Sequence, residues 1–271
     1  PPFALITEDH YLDAFYVGMS EQLKEIDAIL ANVDVTFENT IESLERSGAT
    51  LTRVLNVFYN KSSSDTNDRI DAIEAEIAPK LAAHSDAIRL NPELFARIKT
   101  LRDQSSVLNE EQSWLVERYF RDFAHAGAEL SEASRNRVKG INEELSSLQT
   151  QFSKRVLADT NDLAVIVDDV SELDGLTANQ IAACKAAAEA RGLTGKWLIT
   201  MVNFTGHPLL RSMKNRSLRE KVMRNSLMKG ARSNANDTRK TLLRMVELRT
   251  ERAKLFGLNC HADYVLSQQT A

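Results

Sequence analysis

The sequence predicts a mainly α-helical protein: a lobe built from a bundle of long helices, with a small two- or three-stranded β element around residues 163–204. Three observations lead to this fold class. Apolar residues recur at steps of three or four along most of the chain, which is the spacing of one helix face. The 271 residues include only 10 glycines and 5 prolines, so helices are interrupted rarely. At 163–167 the pattern changes to a short β-branched run that is typical of a strand.

The first two helices are predicted within the first 60 residues. Apolar side chains recur at helical spacing over 11–30, so this segment is expected to form one amphipathic helix. A second helix covers 36–58. It begins at a threonine, whose hydroxyl suits a helix N-cap, and Gly48 is its weak point. The polar stretch 61–67 is expected to be a loop.

Three more helices are predicted before residue 130. An apolar stripe over 70–88 contains Pro79, where a kink is expected. The next helix begins at the Asn-Pro pair 91–92, with asparagine as N-cap and proline in the first turn. Residues 109–112 have capping-box spacing, with asparagine in place of the usual serine or threonine. The helix that they open is expected to end at Gly127.

The longest periodic stretch, 131–156, predicts the seam of a helical bundle or of an antiparallel helical hairpin. Two short strands follow at 163–167 and 196–204, close enough in sequence to pair as a small sheet. Between them, a capping box at 177–180 opens an alanine-rich helix that is expected to end at Gly192.

The last third returns to helix after Gly206, His207 and Pro208. Helices are expected over 208–229 and 237–256, and a further helix begins near Asn259. The sequence stops inside that apolar segment, so we expect the chain to be cut within a longer protein.

These elements suggest three regions. Residues 1–158 form an N-terminal helical region, and 159–205 form a small α/β insertion with short strands. Residues 206–271 form a helical segment that continues toward a catalytic lobe missing from this chain.

Composition excludes several classes of protein. The net charge is −4 with both signs mixed along the chain, which argues against nucleic acid as a partner. No apolar run is long enough for a membrane-spanning helix. The two cysteines, Cys184 and Cys260, lie far apart and give no disulfide framework, so a reducing cytoplasm is the simplest location.

Residues 36–41 read Thr-Phe-Glu-Asn-Thr-Ile, and this string resembles the thimet oligopeptidase and bacterial peptidyl-dipeptidase (dipeptidyl carboxypeptidase) family of zinc metallopeptidases. Further segments resemble the same family in the same order, namely 80–84, 127–130, 173–176, 195–200, 215–219, 248–257 and 261–264. The Thr-Phe-Glu-Asn-Thr start and the Gly-Lys-Trp string at 195–197 look closer to the bacterial peptidyl-dipeptidases. The resemblance covers nearly the whole chain and corresponds to the N-terminal portion of the family.

The resemblance implies a nearly all-helical enzyme of two lobes with a deep channel between them, of which this chain would be most of one lobe. It implies oligopeptide substrates, exclusion of folded proteins, and release of dipeptides from the substrate C-terminus. It also implies zinc in the full-length enzyme, bound by a His-Glu-x-x-His helix far downstream. Both dipeptide release and internal cleavage remain open on the sequence alone.

No metal or catalytic residue is predicted in this chain. None of the five histidines has a second histidine three or four residues away, and none is followed by glutamate, so zinc ligands of the family type are absent. His84 lies on an apolar stripe and is expected to be a packed, hydrogen-bonded side chain. Cys184 is expected to be a small buried residue. Cys260 and His261 are expected to be helix-start residues.

The most prominent polar cluster is Asn-Arg-Ser-Leu-Arg at 215–219. One interpretation puts Arg216 and Arg219 on the wall of the substrate channel, contacting substrate carboxylates or backbone. The other is a helix with exposed arginines that form salt bridges. Arg244, Arg249 and Arg252 are expected to belong to a solvated or ion-paired helix face.

Two hypotheses for function follow. The first is the N-terminal, non-catalytic substrate-channel lobe of a zinc-dependent oligopeptidase or peptidyl-dipeptidase, inactive by itself and completed by a missing C-terminal lobe. The second is a free-standing helical peptide-binding or regulatory protein derived from such a lobe. A scaffold unrelated to peptidases would require the ordered motifs at 36–41 and beyond to be accidental.

Overall fold

Helices form nearly all of the regular structure in residues 3–201 and 208–269, which the computed structural model describes. The described α-helices are α1 His10–Leu30, α2 Ser43–Arg46, α3 Ala49–Ser64, α4 Asp68–Arg89, α5 Pro92–Asp103, α6 Glu110–Ala126, α7 Glu132–Asp162, α8 Ala178–Glu189, α9 Arg216–Leu227, α10 Arg239–Leu255 and α11 His261–Leu266. Two strands, β1 Val165–Val167 and β2 Trp197–Ile199, pair antiparallel with Ile166 opposite Leu198. The predicted fold class, mainly α with a small β element, is confirmed.

The described structure divides into two compact units. The first consists of Pro1–Thr150 and Met245–Ala271, and the second of Gln151–Arg244. The division into 1–158, 159–205 and 206–271 stays a prediction.

Two apolar clusters hold the first unit together. One joins α1, α3 and α4 around Phe15 and Phe58, which are fully buried and whose rings meet edge to face at 5.1 Å. The other joins the end of α1 to α2, α5 and α6 around the fully buried side chains of Ile41, Leu94 and Ile98. Burial of such large side chains contributes roughly 1.5–3 kcal/mol each.

The Thr-Phe-Glu-Asn-Thr string forms a reciprocal cap. The backbone N–H of Asn39 donates to Thr36 Oγ1 at 3.2 Å, and the N–H of Thr36 donates to Asn39 Oδ1 at 3.0 Å. Arg97 on α5 is only 9% exposed and donates to the carbonyl oxygens of Asn32 and Asp34 at 2.7 and 2.6 Å. This buried arginine, which the sequence pattern does not reveal, holds the turn that precedes the cap.

The second unit packs around the small sheet. The side chains of Val165 and Val167 are buried and that of Ile166 is 42% exposed, which is the alternation of a strand with one covered face. Its core combines both strands with α8, α9 and residues 209–213. Asp159, fully buried near the end of α7, accepts from the backbone N–H of Gly230 at 2.6 Å and from Arg232 Nε at 2.9 Å.

Local caps confirm several predicted helix ends. The capping boxes at 109–112 and 177–180 are present, and Asn91 caps α5 with Pro92 in its first turn. Gly127 ends α6 in the left-handed region, with φ +118°. Cys260 and His261 lie at the start of α11, as predicted.

Three predicted segments have the wrong bounds or continuity. The helix over 36–58 is interrupted, because five residues of π-helix at Glu38–Glu42 lead into the short α2 and Gly48 adopts a left-handed φ of +73° before α3. The loop 61–67 is shorter, since α3 continues to Ser64. The helix over 208–229 is broken by a turn, and α9 begins only at Arg216.

Residues 202–207, which include the end of the predicted strand 196–204 and the predicted break at Gly206 and His207, lie outside the described residues. Within the described part, β2 covers Trp197–Ile199. The predicted last helix is described as α11, and residues 270–271 lie outside the description.

Candidate functional site

The cluster at 215–219 forms the start of α9 in the second unit. The side chain of Asn215 accepts from the backbone N–H of Leu218 at 3.1 Å and so caps the helix. Leu218 is buried in the core of the unit. Two of the five residues therefore have local structural roles that explain their presence without a substrate.

The two predicted channel residues differ in their surroundings. Arg219 Nη1 donates to the carbonyl oxygens of Met213 and Lys214 at 2.7 and 3.2 Å, so this guanidinium holds the turn before its own helix. Arg216 is exposed, and its side chain has no hydrogen bond or ion pair within the described part of the chain. Contact of either arginine with substrate stays a prediction.

Metal ligands do not converge in the part of the chain that the structure describes. No group of three His, Cys, Asp or Glu side chains there is arranged to hold an ion. His84 is 9% exposed, and its Nε2 lies 2.7 Å from Gln22 Oε1, which confirms the packed, hydrogen-bonded histidine that we predicted. Cys184 is buried, also as predicted. His207 lies outside the described residues.

A polar cavity lies within the first unit. It has a volume of about 280 Å³ and is formed by five helices, α4, α6, α7, α10 and α11. Its lining combines charged, polar and small side chains, namely Ala82, Ser85, Asp86, Arg89, Asp122, His125, Ala126, Asn142, Arg252 and Tyr264. Six of these side chains are titratable, and one of the six, Asp86, is a buried carboxyl group.

Asp86 is the buried acid of this cavity, with 7% of its surface exposed. Both of its oxygens accept from Asn142 Nδ2, at 2.9 and 3.1 Å. Burial raises the pKa of Asp86 to about 6, although the bond from Asn142 and the positive charges of Lys139, Arg89 and Arg252 act in the opposite direction. A carboxyl group with such a pKa changes its charge close to neutral pH, which is typical of functional sites.

Arg252 is connected to Asp86 through the side chain of Asn142. Its Nη1 donates to Asn142 Oδ1 at 3.1 Å, so one side-chain amide links the carboxylate of Asp86 to a guanidinium. The guanidinium carbon lies 4.7 Å from the ring centroid of Tyr264, a cation–π contact. Arg252 Nε is buried without a hydrogen-bond partner within the described residues.

Aromatic rings form another part of the wall. His125 and Tyr264 stack with centroids 4.0 Å apart, and Tyr264 Oη donates to the backbone carbonyl of His125 at 3.1 Å. The ring of His261 is also stacked with that of Tyr264, with centroids 6.2 Å apart. Burial and the charge of Arg252 lower the pKa of both histidines. At His125 the charge of Asp122 acts in the opposite direction, and at His261 the charge of Arg249 acts in the same direction.

The sequence analysis missed this cavity as a site. Arg252 and Tyr264 lie in motifs that it singled out, but Arg252 was interpreted as part of a solvated or ion-paired face. Asp86 and Asn142 carry no signal, because they lie off the apolar stripes and 56 residues apart.

Comparison with known proteins gives matches that cover the whole of this chain but less than half of each relative. The dipeptidyl carboxypeptidases of Escherichia coli (strain K12) and Salmonella typhimurium are 37% and 35% identical over 274 residues, which is 100% of this chain and 40% of each relative. Oligopeptidase A of Escherichia coli is 27% identical over 278 residues, 41% of its length. The chain matches the N-terminal portion of this peptidase family.

This finding confirms the resemblance that the motifs at 36–41 and beyond predicted. The chain spans about 40% of the length of the curated relatives that it matches. No protein-family model matches it. Within the described residues, none of the helices is both long enough and apolar enough to cross a bilayer.

Proposed function

We propose that the chain is the N-terminal, non-catalytic part of a zinc-dependent peptidase that hydrolyses short peptides and releases dipeptides from their C-termini. The observation that carries this proposal is the match of the entire chain to relatives that are all named as peptidases. The higher identity to dipeptidyl carboxypeptidases, 37% and 35% against 25–27% for the oligopeptidases A, favours dipeptide release.

The residues that the structure describes do not fit a catalytic zinc site. The sequence contains no His-Glu-x-x-His, and the described residues bring no three potential ligands together. In this proposal the zinc ligands therefore belong to the part of the peptidase outside this chain. The chain itself supplies substrate-channel wall, which limits the size of the substrate and keeps water from the bound peptide.

Arg216 is the better of the two candidates for contact with substrate. Its guanidinium is exposed and uncommitted within the described residues, whereas that of Arg219 already donates to two backbone carbonyls. An arginine of this kind can bind a peptide carboxylate through two parallel hydrogen bonds. We therefore place Arg216 on the channel wall, with Arg219 holding the turn behind it.

The remaining parts of the proposal concern partners and location. Oligopeptides are the substrates, and the rest of the same polypeptide is the structural partner. We place the protein in the cytoplasm, which agrees with the unpaired thiols of Cys184 and Cys260.

A peptidase assay on the purified 271-residue chain tests this function. The chain, shown to be folded by circular dichroism, is incubated with a short internally quenched peptide, with zinc and with zinc plus a chelator. We expect no hydrolysis above the buffer rate in either case, while dipeptidyl carboxypeptidase of Escherichia coli serves as the positive control. Chelator-sensitive hydrolysis that co-elutes with the chain in gel filtration would refute the non-catalytic assignment.

A further inference from the structure

The acid in the first-unit cavity has unused hydrogen-bonding capacity. The carboxylate of Asp86 is 7% exposed and receives one donor group, the Nδ2 of Asn142. It forms no ion pair within the described part of the chain. An ionised carboxylate accepts about four hydrogen bonds, and a buried one is stable only when its charge is compensated. A cationic group in the cavity would supply that compensation.

Arg252, on the same wall of the cavity, also has unused hydrogen-bond donors. Arg252 carries five N–H donors, and the bond from Nη1 to Asn142 Oδ1 at 3.1 Å uses one of them. Arg89, which also lines the cavity, is exposed and has no hydrogen bond or ion pair within the described residues. Two guanidinium groups are therefore available to an anionic group at this cavity.

The opposite charges are separated by a single amide group. Asn142 accepts from Arg252 with its oxygen and donates to Asp86 with its nitrogen, so negative and positive charges lie at its two ends. We propose that the cavity binds a small zwitterion, a free α-amino acid or a dipeptide, with its ammonium group on Asp86 and its carboxylate on Arg252 and Arg89. Such a ligand carries the complementary pair of charges at a similarly short separation.

Size and charge argue against other ligands. A volume of about 280 Å³ lies just below the range of about 300–1,000 Å³ that is usual for drug-sized ligands, so an amino acid or dipeptide suits it. A simple anion would lie against the carboxylates of Asp86 and Asp122, and a simple cation against Arg89 and Arg252. Only a ligand with both charges satisfies both sets.

The small side chains and the aromatic wall leave space for the rest of the ligand. Ala82 and Ala126 line the cavity beside the stacked rings of His125 and Tyr264. These surfaces suit the aliphatic part of an amino acid. All of these residues belong to the first unit, and the inference does not depend on the proposed peptidase function.

Nuclear magnetic resonance titration of the 15N-labelled chain tests this proposal. The probes are L-alanine and L-alanyl-L-alanine, which carry both charges, and N-acetyl-L-alanine and L-alaninamide, which each lack one of them. We expect saturable shifts of the amides around Asp86, His125 and Tyr264 with both zwitterions. Each singly charged analogue should bind at least about ten-fold more weakly, since each loses one charge-assisted contact.

The relative affinities of L-alanine and L-alanyl-L-alanine then show whether the cavity prefers an amino acid or a dipeptide. Either order of affinity supports the proposal that the cavity binds a zwitterion. Equal binding of N-acetyl-L-alanine and L-alanine would overturn the proposal, because the ammonium group would then have no role. So would the absence of saturable shifts with both zwitterions.

Variants localise the two contacts. Asp86→Asn keeps the size of the side chain and the bond from Asn142 but removes the charge, and it should weaken L-alanine binding at least about ten-fold. Arg252→Gln should have a similar effect. Arg89→Gln, at an exposed position with no partner in the fold as described, tests the carboxylate end if Arg252→Gln fails to fold. Glu21→Gln, an exposed position on α1, is the control and should leave the affinity unchanged. Unchanged affinity in both Asp86→Asn and Arg89→Gln would contradict the assignment.

Discussion

Two side chains of the first unit, Asp86 and Arg252, have polar atoms that are buried and incompletely compensated. Asp86 has a pKa raised to about 6 by burial, and Arg252 has a buried Nε without a partner within the described residues. Arg97, which is also buried, has hydrogen-bond partners for its guanidinium, among them the backbone carbonyls of Asn32 and Asp34. A buried carboxylate with a raised pKa and a buried donor without a partner are features typical of functional sites.

The raised pKa of Asp86 predicts a pH-dependent cost to stability. The folded-state pKa lies above the ordinary value of 3.8. The contribution of Asp86 to the free energy of unfolding is therefore fully present below pH 3.8 and is lost as the pH rises through about 6. Ionised Asp86 then costs at most about 3 kcal/mol. We expect Asp86→Asn, which cannot ionise, to gain about 1–3 kcal/mol of unfolding free energy relative to the wild type between pH 4 and pH 7.

Urea denaturation followed by circular dichroism at both pH values measures this difference. Glu21→Gln, at an exposed position of α1, is the matched control and should stay within about 0.5 kcal/mol of the wild type at each pH. A stability difference between Asp86→Asn and the wild type that does not change with pH would mean that burial does not disfavour the carboxylate.

Arg216 can be tested in the longer peptidase that we propose. If its guanidinium binds the substrate equally in the ground and transition states, Arg216→Ala should raise KM about ten-fold and leave kcat within about two-fold. Arg224→Ala, on the exposed face of the same helix and paired with Glu220, should change neither constant. Steady-state kinetics with a short peptide measure both constants for both variants. Identical KM and kcat values for Arg216→Ala and Arg224→Ala would mean that Arg216 does not contact the substrate. Arg219→Ala is less informative, because it also releases the carbonyls of Met213 and Lys214.

At the scale of elements, the start of α9 is held by the turn at 173–176. The backbone N–H of Lys214 donates to the carbonyl of Asp174 at 2.8 Å, and the side chain of Leu173 is fully buried beneath. Gly175 has a φ of +96°, and a Cβ at this position would lie 2.0 Å from the carbonyl oxygen of Ser212. Only glycine allows this close approach of the two backbone segments.

Two glycine variants separate the close approach from backbone strain. Gly175→Ala should destabilise the second unit by about 3 kcal/mol or more, because it adds a clash to the left-handed strain of about 1–2 kcal/mol. Gly192→Ala has a similar φ of +71° but open space around it, so it should show only the strain. In a Trp114→Phe background, the fluorescence of Trp197 in β2 reports urea denaturation of this unit. Equal destabilisation by both variants would contradict the clash.

Helix positions in this protein are largely predictable because their signals are local. The capping boxes at 109–112 and 177–180 involve residues three positions apart, and both formed as predicted. The sequence analysis named Gly48 as a weak point but did not predict that the helix is interrupted there. The backbone N–H of Gly48 donates to Glu25 Oε2 on α1 at 2.7 Å, and this contact joins residues 23 positions apart in the sequence. The cavity was not predicted either, since Asn142 and Arg252 lie 110 residues apart and meet only in the folded unit.

At the scale of the whole molecule, two compact units supply two kinds of surface. The first contains the polar cavity with Asp86 and Arg252, and the second presents Arg216 at the start of α9. Neither brings together the ligands of a catalytic metal within the described residues. The chain spans about 40% of the length of the dipeptidyl carboxypeptidases that it matches, and we propose that it helps to form the substrate channel of a longer peptidase.

The most direct test of that claim is the nucleotide sequence that follows the codon for Ala271 in the source gene. Our account predicts an open reading frame that continues for several hundred codons and encodes His-Glu-x-x-His with a glutamate downstream. A stop codon directly after Ala271, or a continuing frame without that motif, would contradict it. A stop codon would favour instead the free-standing helical protein that binds peptides or regulates another protein.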